Sequence, residues 1–224
     1  MDPKLILKSN NIRPVGNIQK NRFISLTIKL GLKMLSFAKL QENHDKKLDH
    51  EQIDKILSIV NNATELKINE LQKENNELTE EKFLHPSDMD CYRDMLYENM
   101  VEIESLRIIA EELAIISLYK NIEVKISSIV KRLAPHKLKR NFTKTLSCIA
   151  SNLREIDGYD SYNELRLINN AIKHDGKTTN DLTNSYPYWA SGEELKNLKE
   201  AYERLLPGAK VFLRNVVEHI YATK

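Results

Sequence analysis

The sequence has few of the residues that interrupt helices and few that build covalent or metal-bound frameworks. Its 224 residues include 6 glycines, 6 prolines and 2 cysteines. So few glycines and prolines, beside many Leu, Ile, Lys, Glu and Asn, indicate long helices rather than a turn-rich fold. Cys91 and Cys148 lie far apart without ligand-like neighbours, which favours free thiols in a reducing compartment. We therefore predict an all-α protein, a long antiparallel helical bundle with an N-terminal helical extension.

Long hydrophobic runs and the common catalytic signatures are also missing. No run of 18 apolar residues is present, so no membrane-spanning helix is expected. The first residues show no signal-peptide pattern, and we expect a cytoplasmic protein. There is no phosphate-cradling glycine loop, no Gly-x-Ser-x-Gly and no His-Glu-x-x-His. Of the six histidines only His44 and His50 come near the spacing of a metal-ligand pair, and solvated residues flank both, so neither a metal nor another cofactor is predicted.

The small net charge of +2 hides three blocks of alternating sign. Residues 1–40 hold eight basic residues and one acid, residues 41–123 hold nine and twenty, and residues 124–224 hold seventeen and eleven. Such segregation suggests complementarity within the chain or between subunits as much as binding to an external polyanion.

The hydrophobic spacing divides the chain into a 1–85 arm with a helical hairpin and an 86–224 bundle. Residues 18–40 fit either a strand or an amphipathic helix, and their length favours a helix that docks on the core over one that lies on a membrane. Residues 49–82 read as a long helix with a weak seven-residue repeat, able to contact a protein partner. Residues 88–133 predict one very long helix or two, nearly all apolar over 112–126. Helices are also expected over 141–154 and 192–221, with a loop at 176–191.

Residues 161–176 hold the densest polar chemistry of the chain. Leu165, Ile168 and Ile172 make an apolar stripe of a helix that Gly176 ends. Five polar side chains share the other side of the predicted helix: Arg166, Asn169, Asn170, Lys173 and His174. An imidazole moves protons near neutral pH, and a nearby cation stabilises charge on a phosphate. This pairing suits metal-independent cleavage of RNA through its 2′-hydroxyl, although the same residues also fit a helix cap and a structural polar network.

A second candidate feature is the stretch from Val124 to Arg154, which contains no acidic residue. Such basic surfaces bind the phosphate backbone of a nucleic acid without recognising its base sequence. Neutralisation of the acidic middle block is an equally good explanation. The predicted RNA contacts within it are Lys131, Arg132, Lys137, Lys139, Arg140 and Lys144.

The layout resembles the HEPN family, small all-α domains of prokaryotic toxins, defence proteins and some nucleases. The resemblance covers residues 90–220 and lies in Leu118-Tyr-Lys-Asn-Ile-Glu123, Leu165-Arg-Leu-Ile-Asn-Asn-Ala-Ile-Lys-His-Asp-Gly176 and Trp189-Ala-Ser-Gly192. Ribonucleases of the family carry an Arg, usually with a polar residue after it, and a His that is separated from the Arg by four to six residues. His174 matches this His, and Asn170 matches the polar residue. The Arg position is occupied by Asn169, and the nearest arginine, Arg166, lies almost one helical turn before it.

The resemblance implies an RNA-binding protein of a toxin or phage-defence system, with endoribonuclease activity as its catalytic form. His174 would then be the acid or base, Arg166 and Lys173 would hold the phosphate, and Asn169 and Asn170 would position the ribose or the His. It also implies a homodimer in which two copies of His174 line a shared cleft. The alternative is a non-catalytic helical interaction or adaptor protein, in which the polar helix is structural and residues 49–82 contact the partner.

Overall fold

A computed structural model describes residues 37–174 and 176–223 of the chain. Two compact units are distinguished, Met1–His44 and Asp45–Lys224. In the first, residues 37–44 are helical, and Lys39 pairs with Glu42 at 3.5 Å. Most of the segment predicted at 18–40 lies outside the described residues.

The second unit is built from helices alone, as predicted. In chain order they are α1 (Glu51–Asn76), α2 (Pro86–Leu133), α3 (Phe142–Ile149), α4 (Tyr159–His174), α5 (Asn180–Ser185) and α6 (Leu198–Ala222). The described ranges contain no strand, only an isolated antiparallel bridge between Lys177 and Glu194. None of their helices is both long and apolar enough to cross a membrane.

Helices α1 and α2 form an antiparallel hairpin. The backbone carbonyl of Asp49 accepts a hydrogen bond from Asn121 at 2.8 Å, and Glu74 accepts one from Tyr92 near the other end. Leu57, Thr64 and Leu71 are the buried residues of α1, one from each heptad. The weak seven-residue repeat therefore faces the core of this unit.

Helix α2 is the centre of the bundle and packs against α1, α4 and α6. It is a single continuous helix of 48 residues. Ile115, Leu118 and Ile122 are fully buried. The nearly all-apolar stretch 112–126 is not buried on every side, because Leu113 and Val124 remain 55% and 53% exposed. The neighbouring helices leave that side of α2 open.

Three predicted segments differ in detail. The helix expected over 141–154 ends at Ile149, and the loop expected over 176–191 contains the short α5. The last helix begins at Leu198 rather than at residue 192. Residues before it bond back to the end of α4, since the Leu195 amide donates to the Gly176 carbonyl at 3.1 Å. These backbone bonds compete with an earlier helix start.

Helix α4 approaches α6 closely because a glycine lies on each side of the contact, Gly158 just before α4 and Gly208 within α6. Gly158 has φ +86°, and a Cβ there would lie 2.3 Å from the carbonyl oxygen of Gly208. A Cβ on Gly208 would in turn meet the Ser161 side chain at 2.1 Å. The start of α4 is thus fixed against the middle of α6, which sets the position of every polar residue along α4.

Candidate functional site on helix α4

Helix α4 is held in the core by an apolar stripe and ended by a glycine turn. Leu165, Ile168 and Ala171 are fully buried. Gly176 adopts φ +66°, and its amide donates to the Ala171 carbonyl at 3.1 Å. This is the left-handed termination that the sequence predicts. The remaining side chains of α4 divide into two polar sides with different surroundings.

One polar side of α4 is fully paired. Glu164 is 2% exposed, and its carboxylate accepts two hydrogen bonds from Arg204 of α6, at 2.8 and 2.6 Å. It accepts a third from the indole of Trp189 at 2.9 Å. The Arg204 guanidinium also lies 5.3 Å from the centre of the Tyr188 ring. This group, called the Glu164 cluster below, joins α4 and α6 to the segment between α5 and α6.

The electrostatics of the Glu164 cluster fit a structural ion pair. Burial raises the pKa of Glu164, but hydrogen bonds from Arg204, Tyr188 and Trp189 outweigh burial and hold that pKa below its usual value. Burial and the Glu164 carboxylate raise the pKa of Tyr188 to about 12. No local sequence pattern predicts this cluster, because the partners of Glu164 lie 25 and 40 residues away from it.

The other polar side of α4 carries cations without a described carboxylate partner. Arg166 is partly exposed and donates to the Asn163 side chain at 2.9 Å. Lys173 is exposed, and its ammonium lies 5.9 Å from the centre of the Tyr119 ring of α2. Burial raises the pKa of Tyr119, so this phenol stays protonated and can donate a hydrogen bond. We call Tyr119, Arg166, Asn170 and Lys173 the cationic face.

The two asparagines occupy different environments. Asn169 was expected on the open side of the helix but is 1% exposed, which corrects that expectation: it lies where α4 meets the rest of the bundle. Its amide nitrogen donates weakly to the Asn170 side-chain oxygen at 3.4 Å, and its own amide oxygen is buried without a partner. Because the Asn170 oxygen faces Asn169, the Asn170 amide nitrogen points away and can donate outward.

His174 is the last residue of α4 and is exposed. It lies eight residues beyond Arg166, which corresponds to about 12 Å along a helix. A phosphodiester group could touch both side chains only if it lay between them. His174 is therefore at the rim of the cationic face.

The acid-free block lies at the far end of the bundle from His174. Lys137 donates to Thr223 after the C-terminal end of α6 at 2.8 Å, whereas Gly176 is bonded next to the start of α6. A helix of 25 residues such as α6 spans about 37 Å. The predicted RNA contacts of the block and the polar end of α4 do not form one site.

The same block also provides intramolecular ion pairs. Arg132 pairs with Asp45, and Lys125 pairs with Asp49 at 3.0 Å. Lys139 donates to the His136 carbonyl at 3.2 Å. Five predicted contacts have no carboxylate partner within the described ranges and are partly or fully exposed: Lys131, Lys137, Lys139, Arg140 and Lys144. Neutralisation of the acidic middle block thus accounts for part of the positive charge.

An acidic cleft of this unit does not include the residues of the cationic face. It has a volume of about 840 Å³ and lies between α1, α2 and residues 194–200. Its lining has six carboxylates and four cations. Burial raises the pKa of Glu111 and Glu112 there. A cleft with this balance repels phosphate, so the cationic face is the better anion site.

In the described ranges, no group of three or more His, Cys, Asp or Glu side chains is placed to hold a metal ion. The cationic face brings together two cations and an amide of α4 and the Tyr119 phenol of α2, with the His174 imidazole at its rim. Comparison of the chain with models of known families, with curated proteins and with solved structures finds no match.

Proposed function

We propose that this protein binds RNA through phosphate groups held on the cationic face of α4, as a HEPN-like protein of a toxin or defence system. The observation that carries the proposal is the contrast between arginines on neighbouring helices. Arg204 is paired with a buried carboxylate, whereas among the described residues Arg166 donates only to the neutral Asn163 side chain, at 2.9 Å. A partly exposed guanidinium on the same side of the helix as a lysine suits a phosphate.

Cleavage is the second step of the proposal, with His174 as the acid or base. Attack by an RNA 2′-hydroxyl on the adjacent phosphorus forms a 2′,3′-cyclic phosphate and releases a 5′-hydroxyl. The base takes the 2′-hydroxyl proton, and a proton is returned to the leaving 5′-oxygen. Lys173 is positioned next to His174 to stabilise the charge that develops on the phosphate.

The binding step is tested by titrating a labelled single-stranded RNA with the full chain. We expect Arg166→Ala to weaken binding about ten-fold, as loss of a charge-assisted contact does. It should also reduce the slope of log affinity against log salt by about 0.7. Arg214→Ala is the matched control, because it also removes one exposed positive charge, but from α6 rather than from the cationic face. Equal affinity and equal slope for both variants would reject the cationic face as the binding site.

The cleavage step is tested with His174→Ala on total RNA in buffer that contains a chelator. The variant should retain RNA affinity, lose cleavage, and leave no 2′,3′-cyclic phosphate ends. Cleavage by both proteins at the same rate, or by neither, would reject catalysis at His174 while leaving the binding step to its own test.

A non-catalytic interaction protein is the second candidate, and one observation favours it. An apolar groove runs along the α1–α2 hairpin, and Ile56, Ile59, Ala63, Leu106, Ile109 and Leu113 line it. In that case Lys173 and His174 would only stabilise the carboxyl end of α4, an effect of about 0.3–1 kcal/mol. Wild type that binds RNA no more tightly than Arg166→Ala would favour this candidate.

A further inference from the structure

The apolar groove of the hairpin is large and open. It has a volume of about 570 Å³ and lies on the side of α2 that faces away from α4. Side chains at its walls are far from buried: Ile59 is 66% exposed, Leu106 57% and Leu113 55%. Its floor contains the small residues Ala110 and Ala114, which leave room for a ridge of side chains from another helix.

The groove is too apolar to be ordinary surface. Leu66 extends the α1 wall by two turns beyond Ile59 and is 66% exposed. Together these exposed aliphatic side chains make the kind of apolar surface that marks an interaction site.

The charges of α2 favour a second copy in an antiparallel arrangement. Residues 86–109 contain six acidic and two basic residues, whereas residues 110–133 contain three acidic and four basic residues. An antiparallel pairing places the acidic half of one α2 against the basic half of the other, and a parallel pairing would oppose acid to acid. The charge pattern of one helix is thus complementary to itself when reversed.

The register of that pairing follows from positions on the open side of α2. Glu98 and Lys120 lie eleven residues before and after Ile109, on the same helical stripe. With a two-fold axis near Ile109, Lys120 faces the partner subunit's Glu98, and Leu106 lies near Leu113 of the partner subunit. Lys120 pairs with Glu123 at 2.8 Å on its own helix, but its side chain is 60% exposed and can turn toward a second carboxylate.

We propose that a second copy of this chain occupies the groove, with α2 packed antiparallel on α2 around Ile109 to form a four-helix interface. The interface leaves the cationic face of α4 open, because Tyr119 and the groove lie on different sides of α2. It differs from the dimer that the family resemblance implies, in which the α4 helices face each other. The inference does not depend on RNA binding.

The first test measures the mass of the full chain in solution over a dilution series. Wild type should sediment at twice the chain mass of 26.0 kDa. Ile109→Glu should be monomeric, with the dissociation constant raised at least about ten-fold. Leu84→Glu is the matched control, because Leu84 is 93% exposed outside the groove, and it should remain dimeric. A monomeric wild type, or a dimeric Ile109→Glu variant, would overturn the proposal.

Charge reversal tests the register without placing a charge in the groove. Glu98→Lys and Lys120→Glu should each weaken the dimer, and the double variant should regain most of the wild-type affinity. Circular dichroism confirms that each variant is folded. A double variant no tighter than the weaker single variant would overturn the antiparallel arrangement around Ile109.

Discussion

The two polar sides of α4 show how similar residues take on different roles. On one side, Glu164 is buried and bound by Arg204 and Trp189. On the other, Arg166 and Lys173 meet an asparagine and an aromatic ring, with no described carboxylate. A buried charge must be paired, so the first side has no capacity left for a ligand. The second side has donors that only solvent or an anion can satisfy.

The largest expected difference between the two sides is in stability. Arg204→Ala leaves the Glu164 carboxylate buried without its cation, and we expect a loss of about 2–3 kcal/mol in the free energy of unfolding. Arg166→Ala removes only a partly exposed side chain, and the expected change is within about 0.5 kcal/mol. Urea unfolding followed by the fluorescence of Trp189, the single tryptophan, measures both. Equal losses would mean that both arginines are structural.

The glycine contact that positions α4 should have the next largest effect. Gly208→Ala places a methyl group on the Ser161 side chain, and overpacking of this kind costs about 1–3 kcal/mol. Gly192→Ala is a control without crowding, because nothing lies within 4 Å of the added carbon and only backbone strain at φ +79° can cost stability there. If both variants lose the same stability, crowding between α4 and α6 is not the cause.

More of the fold than of the candidate site could be predicted from the sequence. Helical periodicity predicted the all-α class and the long α2, because local spacing determines which face of a helix is apolar. It also predicted the seven-residue repeat of α1, but as a surface for a protein partner, whereas Leu57, Thr64 and Leu71 are buried in the core of this unit. It did not show that Asn169 is buried while Arg166 is partly exposed. Those outcomes depend on how α4 rotates against α2 and α6, which long-range contacts determine. For the same reason, Arg204 was not expected to pair with Glu164.

The smallest expected effect is the pH dependence that the Glu164 cluster confers. The pKa of Glu164 is lower in the folded chain than its usual value, so the unfolded chain takes up the proton first as the pH falls. The stabilisation is therefore complete above the unfolded pKa near 4.3 and is lost as the pH drops through the folded pKa.

Glu164→Gln removes the titrating group and should show a shallower loss of stability between about pH 5 and pH 3. Arg166→Ala keeps the cluster and should follow the wild-type curve, since the cationic face has no part in this pair. A wild-type curve parallel to that of Glu164→Gln would mean that the ion pair adds nothing to folding, and the distinction between the two sides of α4 would then depend on RNA binding alone.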